Sequence, residues 1–487
     1  MSTPWQTYAG PGFPTATAQA PANTYKSQVY GAVGLMVVVP LLCVISHEAG
    51  LLREGLPLLS LLVGGFLFWR SKPAYVGVVF WLWFLTPYLG RMSDFQAGSS
   101  GANPVLLAPY LAAGVSVVTM LTSRSAIAQR KSLPYICALA SIFYGAVIGA
   151  ARYPVFDVLR ALLNWVVPIF FGFFIYQNRH LYQDFRRVIE RSFIYGLMIM
   201  GAYGIYQFFT LPDWDKLWML NVQLSSFGAV EAQEIRVFST MNAPAIFAAV
   251  AASGLLLLFC IKGRLRLLSA ACGFLALMLT MSRASWLSLV AGFVFLATRL
   301  DMRQRFRLAV AAVACVVFLF GALQVPVIQT MVTKRFQTFS DPSQDVSYAA
   351  RIEGHEAAFR RIEQNPFGEG IGSTDAAHNT EGDDDSIGPH DSTVLEFLYS
   401  LGWAGTLIYA AGLGTLCIRM AGVGRSDPFV LASLAIVSGF AAQSLLNSVM
   451  IGVLGFMVWT FASMTLARVD LTEEERTQSE LEAYAAV

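Results

Sequence analysis

Three arginines and one histidine carry the reactive side-chain chemistry between the apolar stretches of this chain. Arg236 stands in "EIRVFSTMNAP", with Ser239, Thr240 and Asn242 behind it. Arg283 stands in "TMSRASWLSL" between two apolar runs, its near polar neighbours being Ser282 and Ser285, and Arg351 opens "RIEGHEAAFRRIEQNP". A guanidinium stays charged and offers a planar fork of donors, which suits an anionic group with several oxygens. His390 comes three residues before an apolar helix pattern that starts near residue 393, with Asp391 beside it and Glu396 further along. An imidazole titrates near neutrality and can take and return a proton. The set could therefore hold an anion and handle a proton next to it. Plainer readings stand beside this one. Arg283 could snorkel to headgroups, Arg236 could anchor the interface, Arg351 could be solvated on a helix surface, and His390 could sit in water. His355 and His378 read as solvated loop histidines. The "EGDDD" run lacks the spaced ligand pattern of a calcium loop, so no metal is assigned.

The elements that must position these groups are membrane helices. The chain has 487 residues, 56% hydrophobic and 13% charged, whereas a soluble domain carries about 25% charged residues. This composition excludes an ordinary soluble enzyme. The six cysteines lie in apolar segments or at their ends and form no CxxC pattern, so they read as small core residues rather than a disulfide framework. Apolar segments long enough to cross about 30 Å of hydrocarbon fall near 29–46, 55–69, 73–90, 104–122, 133–151, 157–176, 191–210, 243–261, 267–281, 284–299, 308–325, 393–418, 428–446 and 449–467. The expected fold is all-α: a polytopic integral membrane protein with about 14 transmembrane helices. Residues 1–28 read as a flexible tail, 29–467 as one transmembrane domain, and 468–487 as a C-terminal tail.

Basic residues orient the frame. With both termini cytoplasmic, the inside loops and tails hold 21 of the 33 Lys and Arg, as the positive-inside rule requires. Two outside segments then exceed simple connectors, 211–242 and 326–392. In the second, Ile352, Phe359 and Ile362 share one helical face with basic residues opposite, which fits an amphipathic helix on the outer surface ended by Asn365-Pro366. Asp157 and Arg160 are spaced to pair on one helix and read as structural.

The order of these motifs resembles that of the O-antigen ligase and Wzy-type polymerase superfamily. Arginine before "STMNAP", the "TMSRASWLSL" turn, "ARIEGHEAAFRRIEQNPFGEGIG" and then "HDSTVLEFLYSLGWAG" carry the resemblance, over roughly residues 236–420. The family histidine is commonly followed by asparagine. Here Asp391 follows His390, while His378-Asn379 has the dipeptide but lies far from the helix. We take His390 because the helix register follows it directly.

The resemblance implies transfer of a glycan from a polyprenyl-diphosphate-linked oligosaccharide donor to a glycan or glycolipid acceptor, on the periplasmic face of a bacterial inner membrane. Arg236, Arg283 and Arg351 would hold the diphosphate and His390 would serve the acceptor hydroxyl, supported by Asn242, Asp391 and Glu396. Such chemistry calls for no cofactor and no metal, and predicts a single-step inverting transfer. Membrane lipids are expected partners, with a chain-length regulator as a further one; nucleic acid is not. A polymerase is preferred over a ligase acting on lipid A core. From another class, a lipid-linked oligosaccharide transporter or flippase would favour internal repeats, and no clear self-similarity is found.

Overall fold

The computed structural model describes residues 22–98, 103–222, 225–322, 355–373 apart from 357, 392–422 and 427–485, together with Gln324 and Gln329. The chain is helical almost throughout these residues. It runs as α1 (Ala22–Ile45), α2 (Ala49–Arg70), α3 (Lys72–Ala97), α4 (Ala108–Gly114), α5 (Val117–Thr122), α6 (Arg124–Ile127), α7 (Leu133–Arg152), α8 (Val155–Gln177) and α9 (Tyr182–Thr210). There follow α10 (Asp213–Val222), α11 (Pro244–Cys260), α12 (Leu265–Leu279), α13 (Arg283–Arg299), α14 (Met302–Ala322), α15 (Thr393–Ala421), α16 (Pro428–Gln443) and α17 (Gly452–Ala485). A single antiparallel bridge, Gly228 to Ile235, is the extent of β pairing among the described residues.

Nine segments among the described residues are long and apolar enough to cross a membrane, and three shorter apolar helices, α11, α12 and α16, accompany them. Proline opens several of these helices, at Pro73, Pro134, Pro244 and Pro428. Its missing N–H costs nothing there, because a first-turn amide has no intrahelical partner. The Asp427 carboxylate caps α16 by accepting from the Phe429 amide at 2.9 Å.

The expected crossing over 104–122 is not one continuous helix. A 3-10 turn at Pro104–Leu107 leads into α4, and the helix tightens to a turn at Val115–Ser116, both still in the right-handed helical region, before α5. The irregularity has its cause in a neighbouring helix. The Tyr75 hydroxyl donates to the Ala112 and Ala113 carbonyls at 2.9 and 3.1 Å, and Ser116 Oγ donates back to Ala113 O at 2.6 Å. Carbonyls occupied from the side no longer need the next turn of helix, and side-chain donors of this kind re-satisfy broken membrane helices. The last helix, α17, runs on past its apolar segment to Ala485.

Packing is pairwise: α15 lies on α7, α17 on α8, α13 on α16 and α12 on α9. Helix α11 sits among α9, α12, α13 and α16, buried along most of its length. A helix that is apolar all round belongs in such an interior position. The connections gather at two ends. At one, Asp470 of α17 meets Arg419 at 3.0 Å and Lys131 at 3.4 Å and accepts from the Tyr176 hydroxyl. At that end Asp427 also accepts from Tyr182 at 2.8 Å and pairs with Arg186 at 3.1 Å. The opposite end carries Arg236 and Arg283.

Candidate functional site

Arg236 belongs to a short extended run laid across the end of α12. Its amide donates to Phe227 O at 2.7 Å, and the next amide, Val237, donates to Leu279 O at 3.0 Å. The half-buried side chain then turns onto the helix end. Arg236 Nε donates to Thr280 O at 3.0 Å and Nη2 to Met281 O at 3.4 Å. These carbonyls close α12, where the helix dipole is negative and orphan acceptors gather.

The same turn delivers the second arginine. Met281 takes a left-handed backbone, φ +53°, so the chain reverses within two residues and α13 begins at Arg283, also half-buried. Ser282 N donates to Thr280 Oγ1 at 3.2 Å, and Ser282 Oγ to Ser285 Oγ at 3.2 Å. One corner of the fold thus carries both guanidinium residues and the positive N-terminal end of a 17-residue helix. Such a corner favours an anion.

Hydrogen bonds lead from this corner to the start of α15. Gln443, closing α16, donates from Nε2 to Ser285 Oγ at 3.4 Å. Ser444 O accepts from the Thr393 amide at 2.8 Å, Asn447 O accepts from Thr393 Oγ1 at 3.0 Å, and Val449 N donates to Thr393 Oγ1 at 3.0 Å. Glu396, in the first turn of α15, is fully buried, and Ser448 Oγ donates to its Oε2. Glu396 therefore helps join α15 to the 444–449 segment. Asn242 is half-buried and accepts at Oδ1 from Arg91 Nη1 at 3.0 Å. His390, Asp391 and Arg351 lie outside the described residues, as do His378 and the acidic run at 381–385.

The "NPFGEGIG" motif, residues 365–372, is a backbone strap wedged between α7 and α15. Gly402 breaks the helical path of α15 with φ +61°, ψ −175°, and the strap uses the backbone groups opened there. Glu369 N donates to Tyr399 O at 2.7 Å, Gly370 N to Ser400 O at 3.1 Å, and Trp403 N to Pro366 O at 3.0 Å. On its other side Ile371 N donates to Gly145 O at 2.9 Å. A Cβ on Gly370 would overlap the Gly149 backbone, so the two chains touch with nothing between them. Arg152 reinforces the strap, donating to Gly368 O at 3.1 Å and pairing with Glu369 at 2.8 Å. Burial, with the Glu369 carboxylate behind it, raises the Tyr153 phenol above its ordinary range.

The helix before the strap stops at residue 364, ahead of Asn365-Pro366. Its buried side is formed by Ala358 and Ile362, with Ile362 packed in a cluster with Leu395, Leu398 and Tyr399 of α15, while Phe359 is half exposed. Ala358 and Ile362 thus face the protein, while Phe359 lies on the open side. Ile352 lies outside the described residues.

Residues 268–410 match the family model described as O-antigen ligase. This segment is a domain of the O-antigen ligase and Wzy superfamily. Among curated proteins no match is found. The matched O-antigen ligase segment runs from α12 through the first half of α15, so it contains Arg283, the strap and Glu396. Arg236 and Asn242 precede it in sequence, and it is the Thr280 and Met281 carbonyls that bring Arg236 to its edge. With nine long apolar segments among its described residues and this domain, the chain is a multi-pass membrane protein.

Two residues at this end escaped the sequence reading, Arg91 and Asp215. They form a fully buried pair, Nε to Oδ1 at 2.8 Å. A signal was available. Arg91 directly follows the apolar segment 73–90, and a charged group at membrane depth is costly enough to need a partner.

Proposed function

We propose that this chain is a glycosyltransferase of the O-antigen ligase and polymerase type. It would join polyprenyl-diphosphate-linked oligosaccharide units into a surface polysaccharide on the periplasmic face. One observation carries the reading: Arg236 bonds to the turn that starts α13 with Arg283, at the corner tethered through Gln443 and Ser444 to the start of α15. His390 precedes that helix start by three residues.

In this reading Arg236, Arg283 and Arg351 bind the diphosphate. The acceptor hydroxyl attacks the anomeric carbon while its bond to the diphosphate oxygen breaks. The leaving negative charge is held by guanidinium groups already in place, and the hydroxyl proton passes to His390. A direct displacement inverts the anomeric centre and needs no metal or cofactor. Asn242, Asp391 and Glu396 support these groups. The basic loops favour cytoplasmic termini in a bacterial inner membrane. In this reading α11 to α14 and α16 cross the membrane alongside the nine long apolar segments, giving about fourteen spans. Membrane lipids and a chain-length regulator complete the proposed partners.

A purified sample in nanodiscs, given synthetic polyprenyl-diphosphate oligosaccharide, tests the reading. Elongated or transferred glycan together with released polyprenyl diphosphate supports it, and activity undiminished by EDTA supports the metal-free step. Movement of intact donor across the bilayer, without bond cleavage, would identify a transporter instead. A deletion strain separates the two enzyme types. A polymerase mutant still displays single repeat units, whereas a ligase mutant displays none on the core lipid.

A further inference from the structure

We propose that Arg91 is a positioning residue for the diphosphate corner, acting through the 238–242 loop; its catalytic meaning rests on the glycosyl-transfer reading above. Arg91 sits in α3 with its side chain sealed from solvent, opposite Asp215 of α10. Charge neutralisation alone would need only that pair. The rest of the guanidinium is spent on the loop that follows Arg236. Nη1 donates to Met241 O and to Asn242 Oδ1, Nη2 donates to Ser239 O, and the group lies 4.9 Å from the Phe238 ring centroid.

Asp215 extends the clamp from the other side. Its Oδ2 accepts from the Tyr203 hydroxyl and from Gln207 Nε2, both at 2.7 Å. Gln207 Oε1 in turn accepts from the Phe238 and Ser239 amides at 3.1 and 2.8 Å. Ser239 Oγ donates to Met200 O at 2.6 Å, and Thr240 Oγ1 to Phe84 O at 2.6 Å. Three elements, α3, α9 and α10, thus hold a loop that has no regular structure of its own. They hold it in an unfavourable shape, for Ser239 is a buried non-glycine residue at φ +53°. Backbone of that kind persists only where its surroundings impose it. The loop lies between Arg236 and the start of α11, so its shape sets where Arg236 leaves the backbone. A lysine at position 91 could still face Asp215, but a single ammonium cannot reach three acceptors spread around a planar fork.

The test uses the full chain in nanodiscs. Arg91→Lys keeps the charge and should fold, with a thermal midpoint close to wild type. Hydrogen–deuterium exchange over residues 236–242 should rise about tenfold, while exchange in α8 stays unchanged. This readout needs no activity, so it stands even if wild-type protein transfers no glycan and the functional reading fails. In an active preparation the variant should raise the KM for polyprenyl-diphosphate oligosaccharide about tenfold or more, with a smaller change in kcat. In an Arg236→Ala background the same substitution should add less than about twofold, because its route runs through Arg236. Unchanged exchange at 236–242 overturns the clamp. Effects of Arg91→Lys and Arg236→Ala that multiply in full overturn the route through Arg236. If Arg91→Lys does not fold, the double variant Arg91→Met/Asp215→Leu removes both charges at once. It should show the same loosened loop, and wild-type exchange there would refute the proposal.

Discussion

Adding one methyl group to Gly149 should separate the strap from its helix. Gly149 lies within α7 with ordinary helical geometry, so in an open site alanine would stabilise it by about 0.5–1 kcal/mol. Here the new Cβ would overlap the Ile371 carbonyl oxygen and stand 3.0 Å from both the carbonyl carbon and the amide nitrogen of Ile371. Those are backbone atoms and cannot rotate away, so the strap must retreat by about 1 Å. Such a retreat breaks Ile371 N to Gly145 O and loosens Gly370 N to Ser400 O. Two hydrogen bonds at about 1 kcal/mol each, with overpacking of about 1–3 kcal/mol, give an expected loss of about 3–5 kcal/mol. Gly414→Ala in α15 is the matched control: no atom lies within 4 Å of its Cβ, so that variant should be neutral or slightly stabilised. Reversible unfolding in mixed SDS micelles, followed by tryptophan fluorescence, compares the two. Gly149→Ala as stable as Gly414→Ala would refute direct contact between strap and helix.

Other expectations concern the site and the opposite end of the fold. Arg236→Ala and Arg283→Ala should each lower donor turnover by about 100-fold or more while the thermal midpoint holds; normal turnover in either removes that arginine from the diphosphate site. His390→Ala should cost about 10²–10⁴ in kcat, whereas His378→Ala should leave it unchanged, and the reverse pattern would reassign the proton acceptor. At the far end, Asp470→Ala leaves Arg419 and Lys131 facing each other without their shared carboxylate. About 1–3 kcal/mol of stability should go, read as earlier unfolding; a midpoint matching wild type would show the cluster to be incidental.

Membrane class, the helix pattern and the family of residues 268–410 were legible in the sequence. Hydrocarbon demands long apolar helices with internally satisfied backbones, so composition and segment length alone announce them. The turn after α12 and the helix stop before Asn365-Pro366 were equally readable, since both rest on local backbone rules. The broken crossing at 104–122 was not, because its cause is Tyr75, a residue of another helix. The partner of the 358–364 helix was not legible for a similar reason: helical spacing offers an apolar stripe, but only packing brings Ile362 against Leu395, Leu398 and Tyr399.

Sequence by itself determined that Arg236, Arg283 and the start of α15 were the places to look, because charge in an apolar chain is rare enough to stand out. Only tertiary structure decided that Arg236 joins the Thr280–Met281 turn and that Arg91 and Asp215 grip the loop behind it. Hydrophobicity is summed along a segment and survives without knowing its neighbours. A hydrogen bond depends on two groups meeting within about 3 Å, and residues 91, 215 and 241 meet only after the helices between them have packed.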